Sequence, residues 1–379
     1  MHVCLVHRDL HHITRGGIGT VYQALAERLL AHGHQVTLVT QHTPHPVRLD
    51  GARVITLPRT GDLTVHRREV ALALDQLRPD VVDCSTWAAE TLIYLRQPRR
   101  RRAPVVVRGD LSAATMNAVR YVSAEHELVH LADQVVAVSR FAARDLAAAY
   151  VIPLPVVVPN GVDRGRFHPG PVAPPCSGFR VYLGDDGTVT SKVKLTELLD
   201  ARQKPAPWWA DADGRLRLAW VGKITEMKGW DRLERLLPRL GRLAHVTILL
   251  GHAPAYCPVN RDALMEGVTV LQDLATDDLP GFYRAADYLL STSRWEGFGL
   301  AIAEALACGT PVLLPAELGT APELLAASGG LVYRDDEHLF QLLAAPGPVI
   351  GRLPAYFDWD ANAEASLGIY ESLLDSGAR

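Results

Sequence analysis

One pattern of short β-branched runs and helical segments occurs twice along this chain, and that doubling constrains the fold more than any other feature. The first set runs "HVCLVH", a helical stretch from Gly19 to His32, "QVTLVT", "RVITLP", a helix near Val65 to Leu77, "DVVDCS" and "PVVVRG". Strands separated by helices of this length imply a parallel sheet with helices on both faces. "ADQVVAVSRFAARDLAAAY" adds a strand and a helix, with Ser139 placed to cap the helix over Phe141 to Ala149, and "VVVPNGVD" closes the set.

The grammar restarts at "LRLAWVG" (Leu216 to Gly222), continues through "HVTILLG", "VTVLQD", "YLLSTS" and "PVLLP", and ends near "GGLVY". Two α/β domains in tandem are therefore expected, over 1–165 and 216–357. Between them the proline-rich "FHPGPVAPPCSGF" and the residues after it read as a linker and insertion over 166–215, with a hairpin turning at Asp185 to Gly187. The last segment, 358–379, reads as a helix capped by Asp358 or Asp360, with Leu367, Tyr370, Leu373 and Leu374 as its apolar stripe.

A length of 379 residues suits two domains, and 48% apolar with 21% charged residues is globular composition. The formal charge of -3 gives no global attraction to nucleic acid or to an acidic membrane. Five scattered cysteines without a CxxC pair argue for neither a disulfide framework nor a zinc site, which fits a reducing cytoplasm. No apolar run approaches the ~20 residues of a spanning helix. Oligomeric state is not legible.

Three stretches carry the chemistry. After the first strand, "HHITRGGIGTVYQALAERL" leads a glycine turn into a helix, so Gly16 and Gly17 offer a phosphate contact or simply a tight turn. A dinucleotide site would need an acid at the end of the second strand, which reads "VTLVTQHT". In "WVGKITEMKGWDRL", Lys223 and Lys228, two of five lysines, follow the restarted first strand and suit a diphosphate; the alternative is two exposed loop lysines.

The third stretch is "RWEGFGLAIAEALACGTP", with Glu296 before a glycine turn and Glu304 in an apolar helix. Gly297, Phe298, Gly299 and Leu300 form a turn whose N–H groups can hold a phosphate. Seven of the eight residues from Leu300 to Ala307 are Leu, Ile or Ala, so Glu304 is expected inside, where it needs partners. Either vicinal ribose hydroxyls or an arginine from elsewhere would serve.

Together these stretches resemble the retaining nucleotide-sugar glycosyltransferases of the GT-B fold, glycosyltransferase family four. The resemblance covers nearly the whole chain, and its most specific mark is the E-x7-E pair Glu296 and Glu304. It implies two Rossmann-like, doubly wound parallel-sheet domains facing a central cleft, the C-terminal one holding the donor and the helix at 358–379 completing the N-terminal one. It further implies that Lys223 and Lys228 neutralise the donor diphosphate, with Gly16 and Gly17 facing the phosphates. Glu296 would then lie near the sugar hydroxyls, Glu304 on the ribose, and the backbone of Leu271 to Asp273 near the base. No cofactor and no metal are implied, since the nucleoside-diphosphate sugar is a co-substrate.

In place of the family's usual histidine after the "PVVV" strand this chain has Arg108, Gly109 and Asp110, and Asp110 is a candidate substitute. The group His7, Asp9, His11 and His12 follows the first strand; His11 and His12 are candidates for the acceptor, with metal ligation or a solvated loop as alternatives. "DADG" at Asp211 to Gly214 reads as a turn rather than a metal-binding pair, and "QPRRRRAP" as a solvated loop rather than a membrane contact. No GxSxG or comparable nucleophile spacing appears. The reading is a metal-independent hexosyltransferase acting on a sugar, cyclitol or natural-product intermediate. A cell-envelope glycan or lipid transferase, and a GT-B protein that binds or epimerises a nucleotide sugar, are the alternatives.

Overall fold

Runs such as "VVDCS" and "VVVRG" have no polar face, so their strands must be covered on both sides. The computed structural model describes residues 1–10, 17–43, 46–172, 179–183, 189–193, 214–250, 267–272, 274–327 and 329–377. These fall into two units, residues 1–161 with 356–379, and residues 162–355.

In the first unit the chain runs β1 (His2–Val6), α1 (Gly17–Ala31), β2 (Gln35–Gln41), β3 (Arg53–Leu57), α2 (Leu63–Leu77), β4 (Val81–Ser85), α3 (Leu92–Leu95), β5 (Val105–Gly109), α4 (Val119–Leu131), β6 (Gln134–Ala137), α5 (Arg140–Tyr150) and β7 (Val156–Val157). Among the described residues the strands form one parallel sheet in the order β3-β2-β1-β4-β5-β6-β7. Ser139 caps α5 as expected, its Oγ accepting from Ala142 N at 3.0 Å.

The core of this unit is built from Val3, Leu5, Val106 and Val136 on the strands against Tyr22, Leu25 and Leu29 of α1. Each such buried aliphatic side chain contributes about 2 kcal/mol.

The second unit runs β8 (Phe179–Leu183), β9 (Val189–Val193), β10 (Leu216–Gly222), α6 (Trp230–Leu243), β11 (Ala244–Leu250), β12 (Val268–Gln272), α7 (Leu279–Ala285), β13 (Tyr288–Leu290), α8 (Leu300–Ala307), β14 (Val312–Pro315), α9 (Ala321–Leu324), β15 (Gly330–Tyr333) and α10 (Asp336–Ala344). Its sheet has the order β15-β14-β13-β10-β11-β12-β8-β9 among the described residues. Leu218, Trp220, Val246 and Ile248 meet Leu233, Leu237 and Leu240 of α6 and Leu339 and Phe340 of α10 in its core.

Two strands from the stretch read from the sequence as a linker and insertion, β8 and β9, join this unit's sheet. The reason is backbone pairing: β8 and β9 pair antiparallel, and β8 continues antiparallel onto β12, so the sheet is mixed at that edge. The turn expected at Asp185 to Gly187 lies outside the described residues, as do Trp208, Trp209 and Asp211 to Asp213.

The last helix, α11 (Trp359–Gly377), belongs to the first unit. Asp358 caps it, Oδ1 accepting from Asp360 N at 2.7 Å. Its expected stripe packs inward: Leu367 and Tyr370 join the first core, with Leu373 and Leu374 against it. Among the described residues no helix is long and apolar enough to cross a membrane.

Candidate active site

In the second unit the strand order reverses between β10 and β13: the chain builds β11 and β12 on one side, then returns to build β14 and β15 on the other. Ligands of open α/β sheets bind outside the carboxyl ends of strands at such a reversal. The loop after β10 carries Lys223 and Lys228, and the loop after β13 carries Glu296 to Leu300.

The two loops are laced together. Thr292 Oγ1 accepts from Trp220 Nε1 at 3.0 Å and lies 3.0 Å from Lys228 O, to which it donates. Arg294 N donates to Met227 O at 2.9 Å, and the Arg294 guanidinium forks onto Asp231 with two contacts of 2.6 Å. That fork holds the Asp231 carboxyl down to about 2. Gly229 sits at φ +62, and a Cβ there would be driven into the carbonyl oxygen of Thr292. Only glycine lets the β10 loop approach the β13 loop this closely.

Lys228 Nζ lies 2.6 Å from Glu296 Oε1, and the same oxygen accepts from Ser293 Oγ at 2.7 Å. Glu296 is buried and Lys228 half-buried, so a cation and an anion are held in place at the mouth of the sheet. Gly299 follows at φ +92 as the residue before α8, and Phe298 is buried. Lys223, by contrast, is exposed just past the end of β10.

Glu304 corrects the expectation of full burial. Ile302, Ala303, Ala305, Leu306 and Ala307 face inward, whereas Leu300 and Glu304, one turn apart, share the less covered side of α8. Glu304 is half-buried, and its Oε2 accepts from the Tyr283 hydroxyl at 2.7 Å. One partner in this structure is thus a tyrosine on α7, itself fixed by Thr310 Oγ1 donating to Tyr283 O at 2.7 Å.

In the first unit, Gly17 opens α1, while Gly16, His11 and His12 lie outside the described residues, as does Asp273 in the second. Asp110 is half-buried and lines a small cavity with Ile18, Ser85 and Arg108. Arg108 is not on a loop: β5 extends through Gly109, and Arg108 Nη2 bonds Asp83 Oδ2 at 2.8 Å and Ser366 Oγ at 3.1 Å inside the core. Burial opposes its charge, but Asp83 outweighs this and raises Arg108 above its ordinary value. Tyr22 and Tyr370 donate to the same carboxylate at 3.1 and 2.7 Å.

With this geometry stated, a profile described as Glycosyltransferase Family 4 matches residues 15–166, and one described as Glycosyl transferases group 1 matches residues 215–345. The chain belongs to glycosyltransferase family 4. Curated relatives are named D-inositol 3-phosphate glycosyltransferase: the protein of Segniliparus rotundus is 31% identical over 67% of this chain and 55% of its own length, and that of Nocardia farcinica 29% over 78% and 67%. The chain thus spans a little over half of the first of these relatives and two thirds of the second. Among solved structures, sucrose-phosphate synthase of Thermosynechococcus elongatus superposes with a TM-score of 0.74 at 18% identity, covering 99% of both chains. The catalytic domain of starch synthase IV of Arabidopsis thaliana gives 0.68 at 13% over 99% of both. These likenesses identify the GT-B fold of two Rossmann-like units.

Reading the family-4 chain as sequence missed Thr292, Ser293 and Tyr283. The polar run "STS" leaving an apolar strand was the available signal for the first two. Tyr283, on α7 and 21 residues before Glu304, left no local trace.

Proposed function

We propose that this chain transfers a sugar from a nucleoside-diphosphate sugar to a hydroxyl of a small acceptor, with retention at the anomeric carbon. The observation that carries the reading is the Lys228 and Glu296 pair beside the Gly297 to Leu300 turn, at the strand-order reversal of the second unit. A departing diphosphate needs charge placed in advance rather than a strong nucleophile. Lys228 and Lys223 supply cations, and the glycine turn supplies backbone N–H groups. Glu296, with Oε1 committed to Lys228 and Ser293, accepts a sugar hydroxyl at Oε2. Glu304 accepts the ribose hydroxyls, sharing them with Tyr283.

In the reaction the bond from the anomeric carbon to the diphosphate oxygen breaks and one to the acceptor oxygen forms. The acceptor proton passes to a leaving-phosphate oxygen, so the products are a glycoside and a nucleoside diphosphate. No metal or cofactor is required, and the reading places the activity in the cytoplasm. The relatives' name supports a cyclitol among the small acceptors.

The test is incubation of the pure protein with UDP-, GDP-, ADP- and dTDP-sugars and candidate polyols, following nucleoside diphosphate release and the anomeric configuration of the product. Retained configuration is expected. Epimerised donor without transfer, or an inverted product, would overturn the reading.

A further inference from the structure

Two adjacent hydroxyls hold opposite members of the pair at the strand-order reversal of the second unit. Ser293 Oγ donates to Glu296 Oε1 at 2.7 Å, and Thr292 Oγ1 donates to Lys228 O at 3.0 Å. Ser293 thus reaches the acid through its side chain, whereas Thr292 reaches the lysine through its backbone. Both are buried where the chain leaves β13, Thr292 completely.

The direction of the Thr292 hydroxyl is dictated by its neighbours. An indole N–H can only donate and a carbonyl oxygen can only accept. The one hydroxyl that accepts from Trp220 Nε1 at 3.0 Å must therefore spend its own proton on Lys228 O. Trp220 lies on β10, the strand whose loop carries Lys228, and its ring is buried in the core with the Trp230 ring of α6 5.6 Å away. The donor at the head of this relay thus has a fixed place. An aliphatic residue at 292 would leave a buried indole N–H and a backbone carbonyl both unpaired.

Lys228 is consequently held at its N, its O and its tip. Its N donates to Thr225 Oγ1 at 3.3 Å, its O accepts from Thr292, and its Nζ lies 2.6 Å from Glu296 Oε1. Thr225 belongs to the same loop and moves with it, whereas the Thr292 bond ties the Lys228 backbone to the loop across the reversal. A lysine stem is long and flexible, so its ammonium is placed by where the backbone is pinned and by the acid at its tip.

We propose that Thr292 is a positioning residue for the transfer reaction: its hydroxyl, oriented by Trp220, pins the Lys228 backbone so that the ammonium stays against Glu296 beside the Gly297 to Leu300 turn. Thr292 touches no substrate and acts only through the lysine. Its part in transfer rests on the role given to Lys228 under the proposed function; the pinning of Lys228 does not.

Two measurements test this. The first needs no donor: lysine acetylation followed residue by residue by peptide mass spectrometry, with Lys223 as the internal reference. Thr292→Val keeps the branched shape that lies against Gly229 and removes the hydroxyl. It is expected to raise the Lys228 labelling rate several-fold, while Thr292→Ser leaves that rate at the wild-type value. The second is a double-mutant cycle on the steady-state rate of nucleoside diphosphate release. Thr292→Val is expected to lower kcat roughly ten-fold or more in the wild-type background, the scale of a small misplacement of a reacting group. In the Lys228→Ala background the same change is expected to cost less than about two-fold, because the lysine it positions is gone. Thr292→Ser should restore kcat. Circular dichroism checks the fold, and Thr292→Ala carries the same expectations should the valine variant not fold. Equal losses in both backgrounds would make Thr292 a packing residue. Unchanged Lys228 labelling, unchanged kcat in the wild-type background, or a serine variant as slow as the valine one would also overturn the proposal. Labelling as described in a protein that turns over no donor would leave the pinning standing and sink the transferase reading instead.

Discussion

Lys228 Nζ and Glu296 Oε1 lie 2.6 Å apart, and Ser293 donates to the same carboxylate oxygen from 2.7 Å. The lysine is thus held at the strand-order reversal by groups of its own unit. Removing it is expected to lower turnover by orders of magnitude while the fold stays intact. Lys228→Ala should therefore show native circular dichroism and a steady-state rate at least a hundred-fold down; a rate near wild type would remove Lys228 from leaving-group stabilisation.

Glu304 holds the Tyr283 hydroxyl through one oxygen. Loss of charge-assisted hydrogen bonds to ribose hydroxyls, each worth about 1.5–3 kcal/mol, predicts that Glu304→Ala weakens UDP or GDP binding by roughly ten-fold or more. Tyr283→Phe keeps the carboxylate and is expected to weaken binding less. Titration calorimetry on both variants measures this, and unchanged affinity in Glu304→Ala would return the glutamate to a packing role.

Gly229 allows the β10 loop to touch the β13 loop. In Gly229→Ala the left-handed backbone and the Thr292 carbonyl act together, and a loss of at least about 2 kcal/mol in unfolding free energy is expected. Urea unfolding checks the stability, and donor affinity should fall with it because Lys228 and Glu296 sit on the two loops being pushed apart.

Burial works against the charge of Glu90, but the His66 and His7 hydrogen bonds outweigh it and hold the carboxyl down to about 2 from 4.5. A depressed carboxyl stabilises the fold above its unfolded value and loses that contribution as pH falls through its folded value. The stability gap between wild type and Glu90→Gln is therefore expected to be full above about pH 4.5 and to close toward pH 2. Urea midpoints measured down that range test the sign; a gap that widens on acidification would contradict it.

Asp83 is fully buried and receives Arg108, Tyr22 and Tyr370. Asp83→Asn leaves the Arg108 charge inside without its counter-ion, a change expected to cost about 3–5 kcal/mol. Tyr370→Phe removes one donor and is expected to cost about 1 kcal/mol. Thermal unfolding ranks the two.

The repeated strand and helix pattern was enough to read two doubly wound sheets, because periodicity is a local property of the chain. The β8–β12 pairing was not readable, since an antiparallel strand added to a sheet edge depends on a partner about ninety positions away. The family resemblance puts Arg108 on the loop after "PVVV", at the place of a histidine; its counter-ion Asp83 lies on a neighbouring strand, and nothing in "VVVRGD" points to it. At Glu304 the count of apolar neighbours was correct, but which side of α8 is covered depends on how its neighbours pack, not on the number of apolar residues.

The tie between Tyr370 and Asp83 also bears on how the molecule is made. Residues 359–377 complete a core whose strands begin at His2, so on the ribosome the first unit stays unfinished while the whole of 162–355 emerges. The later-encoded unit has all its parts first, and the earlier one must wait with an apolar seam along α1 open. Nascent chains stalled before residue 359 should therefore be the form most in need of chaperones.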